Sequence, residues 1–129
     1  MSAIRFDVRT AQLTPSTYVL SVTGEIDAFT SPTLDRELEW VLADGASNVV
    51  VDMGAVSFVD STALRVLLDA MPRFSRRGGD LVLVSDDRRI LRTLEIIGLE
   101  TKFKVEPRLE EAIAHVVAGA SAGRRDTES

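Results

Sequence analysis

Cysteine is absent from the sequence, and histidine occurs once. Without cysteine the chain has no disulfide, no thiolate nucleophile and no cysteine-based metal site, so nothing in it requires an oxidising compartment. The single histidine, His115, precedes Val116 in an apolar helical pattern, and we assign it no role. No cluster of side chains has the spacing of metal ligands, and neither a GxGxxG segment nor a P-loop follows any predicted strand. Because no base–nucleophile pair can be assembled either, the sequence predicts no metal, no cofactor and no enzymatic activity.

Long apolar runs and an excess of positive charge are also missing. No stretch approaches the roughly 20 apolar residues that span a bilayer, and the first residues lack the apolar run of a signal peptide. The net charge is −5, and the 13 arginines and two lysines are scattered, which argues against a nucleic-acid surface. We therefore expect one cytoplasmic domain, residues 1–118, without membrane insertion or direct nucleic-acid binding. The small, polar and charged tail, residues 119–129, is predicted to be disordered.

The hydropathy pattern begins with two strands. Ile4, Phe6 and Val8 alternate with polar residues, as in a half-buried strand, and residues 12–16 are predicted to form a turn. Residues 18–23 are rich in β-formers and predict a second strand, so the two strands are expected to pair as an antiparallel hairpin.

Helices and strands then alternate to the end of the domain. Ser31 and Pro32 predict an N-cap and first turn, with Leu34, Leu38, Val41 and Leu42 on the inward face. Three further strands are predicted at 48–53, 81–84 and 101–105, and each is followed by a helix. The first of these helices runs from 60 to 78, with Leu64, Leu67, Leu68 and Met71 inward. The second is capped by Asp86 or Asp87, with Ile90, Leu91, Leu94 and Ile97 inward, and the last begins at Pro107, with Leu109, Ile113, Val116 and Val117 inward. This order predicts an α/β domain with a mixed, mostly parallel sheet, an N-terminal antiparallel edge hairpin and about four helices.

One strand-to-helix junction has more oxygen-bearing side chains than the start of a helix requires. Asp60, Ser61 and Thr62 follow an apolar strand and precede the first inward residue of a helix. One short oxygen-bearing side chain is enough to cap a helix N-terminus, where the first N–H groups lack partners within the helix. Spacing alone therefore leaves two interpretations open, a plain helix cap and a functional turn.

Asp52 offers a competing site, because it directly follows three valines of a predicted parallel strand. A bacterial response-regulator receiver domain has an Asp at a similar place. That family also has an acidic pair after its first strand, where this chain has Arg9-Thr10-Ala11. It has a Lys at the end of its last strand, a place that neither Lys102 nor Lys104 clearly occupies. The receiver interpretation is accordingly the weaker one.

Two motifs occur in the sequence, Thr-Gly-Glu-Ile-Asp at residues 23–27 and Phe-Val-Asp-Ser-Thr-Ala-Leu at residues 58–64. They resemble the T-G-E-L/I-D segment and the D-S-S/T-G-L turn, in the same order, of STAS domains of the anti-sigma-factor antagonist type. Further segments at 48–52, 79–84 and 97–99 fit the strands and a helix end of the family. The resemblance covers roughly residues 4 to 118 and implies a STAS-like fold for the whole domain.

The resemblance implies a bacterial anti-sigma factor antagonist in a partner-switching pathway. In that family an anti-sigma factor, itself a serine/threonine kinase, phosphorylates the second hydroxyl of the turn, which corresponds to Thr62. The unphosphorylated antagonist binds the kinase, the phosphorylated one is released, and a PP2C-type phosphatase resets the switch. Phosphorylation adds about −1.5 to −2 charge beside Asp60, so we expect release without refolding. The residues expected to contact the partner are Asp27, Thr30, Phe58, Asp60, Ser61, Ala63 and Leu64.

Two positions depart from the family pattern. Thr62 stands where Ser is commoner, and Ala63 stands where Gly is usual. A first-turn helical position accepts Ala readily, so these changes bear on the identity of the partner more than on the fold. The alternative function is a stand-alone STAS accessory subunit of a membrane transporter, or a signalling scaffold, that acts without phosphorylation.

Overall fold

The order of helices and strands is the one that the hydropathy pattern predicts. The computed structural model describes the backbone of residues 5–128 and the side chains of residues 5–118. Its elements are β1 (Asp7–Thr14), β2 (Thr17–Ile26), α1 (Ser31–Ala43), β3 (Asn48–Val59), α2 (Ser61–Ser75), β4 (Leu81–Val84), α3 (Arg88–Ile97), β5 (Lys104–Glu106) and α4 (Leu109–Glu128). α4 continues through residues 119–128, most of the tail that the sequence predicts to be disordered, whereas side chains are described only as far as residue 118. The disorder of the tail stays a prediction.

The sheet has the strand order β1-β2-β3-β4-β5. β1 and β2 pair antiparallel, while the pairs β2–β3, β3–β4 and β4–β5 are parallel. The predicted mixed sheet with an antiparallel hairpin at one edge is therefore confirmed. Near the carboxyl end of β2, Ile26 lies beside Val59 of β3, which brings the ends of these two strands together.

Apolar side chains are buried on both faces of the sheet. Val49 and Val51 of β3 join the larger cluster, which also contains buried residues of α1, α2 and α3. Val50 points to the other face and joins a smaller cluster with Val116 of α4. This alternation follows from the two-residue period of a strand, and it shows that β3 is covered on both sides.

The strands next to the predicted functional turn are longer than expected. β2 continues through Gly24 and Glu25 to Ile26, and β3 runs on to Val59 instead of ending at Met53. The two strands stay paired over this stretch by means of register shifts, so the pairing outweighs the low strand propensity of Gly and Glu. β1 likewise extends to residue 14, which confines the predicted turn at 12–16 to residues 15 and 16.

Two helix starts differ in detail from the prediction. The N-cap of α1 is Thr30 rather than Ser31, and Ser31 is already helical because its N–H donates to the Asp27 carbonyl at 2.8 Å. The N-cap of α3 is Asp87, one of the two candidates, whose side chain accepts from the N–H of Arg89.

Two residues predicted to face inward are largely exposed. Ile97 is 51% exposed because it lines an open groove between α2 and α3 instead of the closed core. Val117 is 45% exposed, one residue after the buried Val116, because one step along a helix turns the side chain about 100° away.

Candidate functional site

The two sequence motifs meet at the carboxyl edge of the sheet. β2 and β3 are parallel neighbours, with Glu25 beside Phe58 and Ile26 beside Val59. The N–H of Asp60 donates to the Ile26 carbonyl at 3.2 Å, which ties the start of the second motif to the end of the first. Open α/β sheets place their functional groups at this edge, because the loops that follow parallel strands converge there.

Asp60 is the N-cap of α2 and also holds the Thr62 hydroxyl. Its backbone is extended, and its Oδ1 accepts from the N–H of Thr62 at 2.9 Å and of Ala63 at 3.1 Å. The Thr62 hydroxyl donates to the same carboxylate oxygen. The plain helix-cap interpretation is therefore correct as far as it goes. The hydroxyl contact goes beyond a cap, because it orients the oxygen that the resemblance marks for modification.

The Asp60 carboxyl is a fixed negative charge in this turn. The Thr62 hydroxyl is the strongest influence holding its pKa below the usual range, and the backbone N–H groups of Ala63, Thr62 and Ala28 act in the same direction. Partial burial opposes them without reversing the shift. Asp60 is consequently a carboxylate at neutral pH, able only to accept hydrogen bonds. Ala28 belongs to the loop between β2 and α1, whose backbone therefore also lowers the pKa of this carboxyl.

Asp27 and Thr30 close that loop on itself. Asp27 Oδ1 accepts from the N–H of Phe29 at 2.9 Å and of Thr30 at 3.1 Å. The Thr30 hydroxyl oxygen accepts from the Asp27 N–H at 2.8 Å, and the hydroxyl donates to the Glu25 carbonyl oxygen, also at 2.8 Å. The Thr30 hydroxyl is thus occupied inside the loop, and its contribution is to position Asp27 and Phe29.

The predicted contact residues divide into exposed and buried ones. Ser61 and Thr62 are exposed, and Phe58 is 46% exposed. Ala63 and Leu64 lie in the core, with 0% and 3% exposure, because they form the inward face of the first turn of α2. These two residues therefore support the turn from below and offer a partner almost no surface.

Phe29 is a candidate contact residue that the sequence analysis missed. It is 93% exposed in the β2–α1 loop, next to Thr30. The signal that could have found it is an aromatic residue in a short polar turn, outside every apolar period of the neighbouring elements. Large exposed aromatic side chains are enriched at protein interfaces.

A shallow groove between α2 and α3 begins beside Ser61. Its volume is about 180 Å³, and its lining residues are Ser61, Leu64, Arg65, Leu68, Ile97 and Leu99. Ile96, next to the groove-lining Ile97, is 73% exposed. The exposed hydroxyls of the turn thus adjoin an apolar surface with a cation at its border, the usual composition of a protein-binding surface.

Asp52 does not occupy the place that the receiver interpretation requires. It lies inside β3, half-buried, and its Oδ1 accepts from the N–H of Gly54 at 2.9 Å. β3 continues beyond it to Val59, so this carboxylate is not at the end of its own strand.

Two other features are absent from the described part of the chain. Among these residues no group of three or more His, Asp or Glu side chains is placed to hold a metal ion. None of the described helices is both long enough and apolar enough to cross a membrane.

Comparisons with known proteins agree on one family. The family model of the STAS domain matches residues 9–112, which include both motifs. An anti-sigma-B factor antagonist of Listeria monocytogenes is 34% identical over 85 residues, which cover 66% of this chain and 75% of the relative. An anti-sigma-B factor antagonist of Staphylococcus aureus is 31% identical over 83 residues, which cover 64% of this chain and 77% of the relative. The crystal structure of an anti-sigma factor antagonist from Mycobacterium paratuberculosis matches this fold with a TM-score of 0.71 and 28% sequence identity. The match covers 89% of this chain and 95% of that protein.

Proposed function

Because the chain belongs to the STAS domain family, we propose that it acts as an anti-sigma factor antagonist in a partner-switching pathway. In this proposal the unphosphorylated protein binds an anti-sigma factor that is a serine/threonine kinase, and phosphorylation of Thr62 releases it. Support comes from relatives that carry the name anti-sigma-B factor antagonist and from the structural similarity to another antagonist.

The observation that carries the proposal is the Thr62 hydroxyl, exposed in the first turn of α2 and hydrogen-bonded to Asp60. In the reaction the γ-phosphoryl group of ATP is transferred to Thr62 Oγ1, ADP leaves, and the hydroxyl proton passes to a base in the kinase. Ser61 is exposed as well, but among the described residues its hydroxyl has no hydrogen-bond partner to orient it. Thr62 is therefore the better-prepared acceptor of the two.

Phosphorylation would turn the attractive contact between Thr62 and Asp60 into a repulsive one. The modified oxygen no longer carries a proton to donate, and the phosphate brings about −1.5 to −2 charge next to a carboxylate. A partner docked over the exposed Phe29 and Phe58 would meet this added charge and bulk at the centre of its interface. The backbone amides that cap α2 remain available, so the fold need not change. A PP2C-type phosphatase would restore the hydroxyl.

Incubation with candidate anti-sigma kinases and ATP, followed by mass spectrometry, tests the proposal. We expect one phosphate on the wild type and on Ser61→Ala, and none on Thr62→Ala. Label that persists in Thr62→Ala would contradict the site. Absence of label with every kinase, together with binding to a transporter ATPase, would instead support the accessory-subunit function.

A further inference from the structure

Arg65 is an exposed cation on α2, three residues after Thr62 and four after Ser61. Within the part of the chain whose side chains are described, it makes no ion pair or side-chain hydrogen bond. Asp69, four residues further along the helix, does not engage it. In contrast, Arg73 of the same helix is paired with Glu39 of α1 by two hydrogen bonds. Arg65 is thus available for a partner that this form of the protein does not supply.

The position of Arg65 directs it toward the phosphorylatable turn. Its side chain borders the same groove as Ser61. Helical side chains lean toward the N-terminus of their helix, so residues three and four apart lie one above the other. The guanidinium group of Arg65 is therefore within reach of a group attached to the Thr62 oxygen.

A phosphate on Thr62 would otherwise have acidic neighbours. Asp60 lies in direct contact with the Thr62 oxygen, and Asp27 holds the adjoining loop. An anion placed N-terminal to a cation at this helical spacing is the favourable order for an ion pair. The planar guanidinium also matches the oxygens of a phosphate, which it can bind through two parallel hydrogen bonds.

We propose that Arg65 binds the phosphate carried by Thr62 and turns it away from Asp60. This inference rests on the proposed function, because it concerns the phosphorylated form. Arg65 is then a positioning residue of the switch. In the unphosphorylated form the Arg65 charge is available at the border of the groove between α2 and α3, and in the phosphorylated form Arg65 is paired with the phosphate. Phosphorylation would thereby both add negative charge to the surface and withdraw a positive charge from it.

The test is a phosphorus NMR titration of protein in which phosphothreonine has been incorporated genetically at position 62, without any kinase. We expect the second pKa of this phosphate to be lower with Arg65 than in Arg65→Gln by about half a unit, a threefold change in proton affinity. The direction follows because Arg65 favours the dianion, whereas Asp27, Asp60 and Asp69 disfavour it. Arg65→Lys should restore part of the shift, since it keeps the charge but loses the planar fork.

Arg76→Gln is the matched control. It removes the same charge from an exposed position on the far end of the helix, roughly 20 Å from Thr62 and beyond the screening length at physiological salt. Equal phosphate pKa values in the wild type and Arg65→Gln would overturn the inference, as would an equal shift in Arg76→Gln. A missing kinase label would contradict the proposed function and leave this titration unaffected. An unchanged titration would contradict only the role of Arg65.

Discussion

Replacing Asp60 with alanine removes one carboxylate that performs two tasks. It deprives the N–H groups of Thr62 and Ala63 of their acceptor, and it frees the Thr62 hydroxyl. Loss of an N-cap costs about 0.5–2 kcal/mol, and because two amides and a hydroxyl are affected we expect about 1.5 kcal/mol here. For a domain of this size that loss lowers the Tm by roughly 6 °C.

The pH dependence of the effect follows from the lowered pKa of Asp60. A carboxyl whose pKa is lower in the folded state stabilises the protein fully above its unfolded pKa of about 3.9 and loses this effect as the pH falls through the folded pKa. The Tm difference between wild type and Asp60→Ala should therefore be largest at neutral pH and shrink progressively below about pH 4. Asp60→Asn keeps an acceptor for the amides, so it should cost only a few tenths of a kcal/mol at pH 7.

Thermal unfolding followed by circular dichroism between pH 3 and pH 7 measures these differences. Asp87→Ala is the control, since it removes the cap of α3, whose acceptor bond to the Arg89 N–H is 2.8 Å, and leaves the Thr62 turn intact. It should lower the Tm without moving the NMR signals of Thr62. A Tm of Asp60→Ala within 1 °C of the wild type at pH 7, or a gap of equal size at pH 3, would refute the reasoning.

Three further predictions concern packing, docking and the tail. Gly79→Ala should lower the free energy of unfolding, measured with urea, by about 3 kcal/mol or more, because the added Cβ would lie 1.7 Å from the Ser47 carbonyl oxygen. Gly54→Ala, whose Cβ would meet only a side-chain oxygen at 3.2 Å, is the control and should cost far less. Phe29→Ser should leave stability within about 0.5 kcal/mol yet weaken partner binding by more than 1 kcal/mol in calorimetry. Truncation after residue 118 should leave the Tm unchanged if the tail is disordered, and a marked fall would contradict that prediction.

Much of the architecture could be predicted because apolar periodicity and turn residues are local signals. The predicted bounds were less accurate where pairing between strands decided the outcome. Gly24 and Glu25 are poor strand formers, yet they lie in β2 because β3 runs beside them. In the same way, periodicity identified the helix face that carries Ile97 but not whether a neighbouring element covers it.

The sequence by itself determined the junction at Asp60, since a strand, an oxygen-bearing cap and the first turn of a helix are all set by residues close together in the chain. Only the tertiary structure decided what surrounds that junction. The parallel register of β2 and β3 brings the Asp27 loop beside Asp60. The packing of α2 against the core buries Ala63, while Phe29 stays in solvent. It also leaves Arg65 without a partner in the described residues. These outcomes depend on contacts between segments far apart in sequence, which residue spacing does not encode.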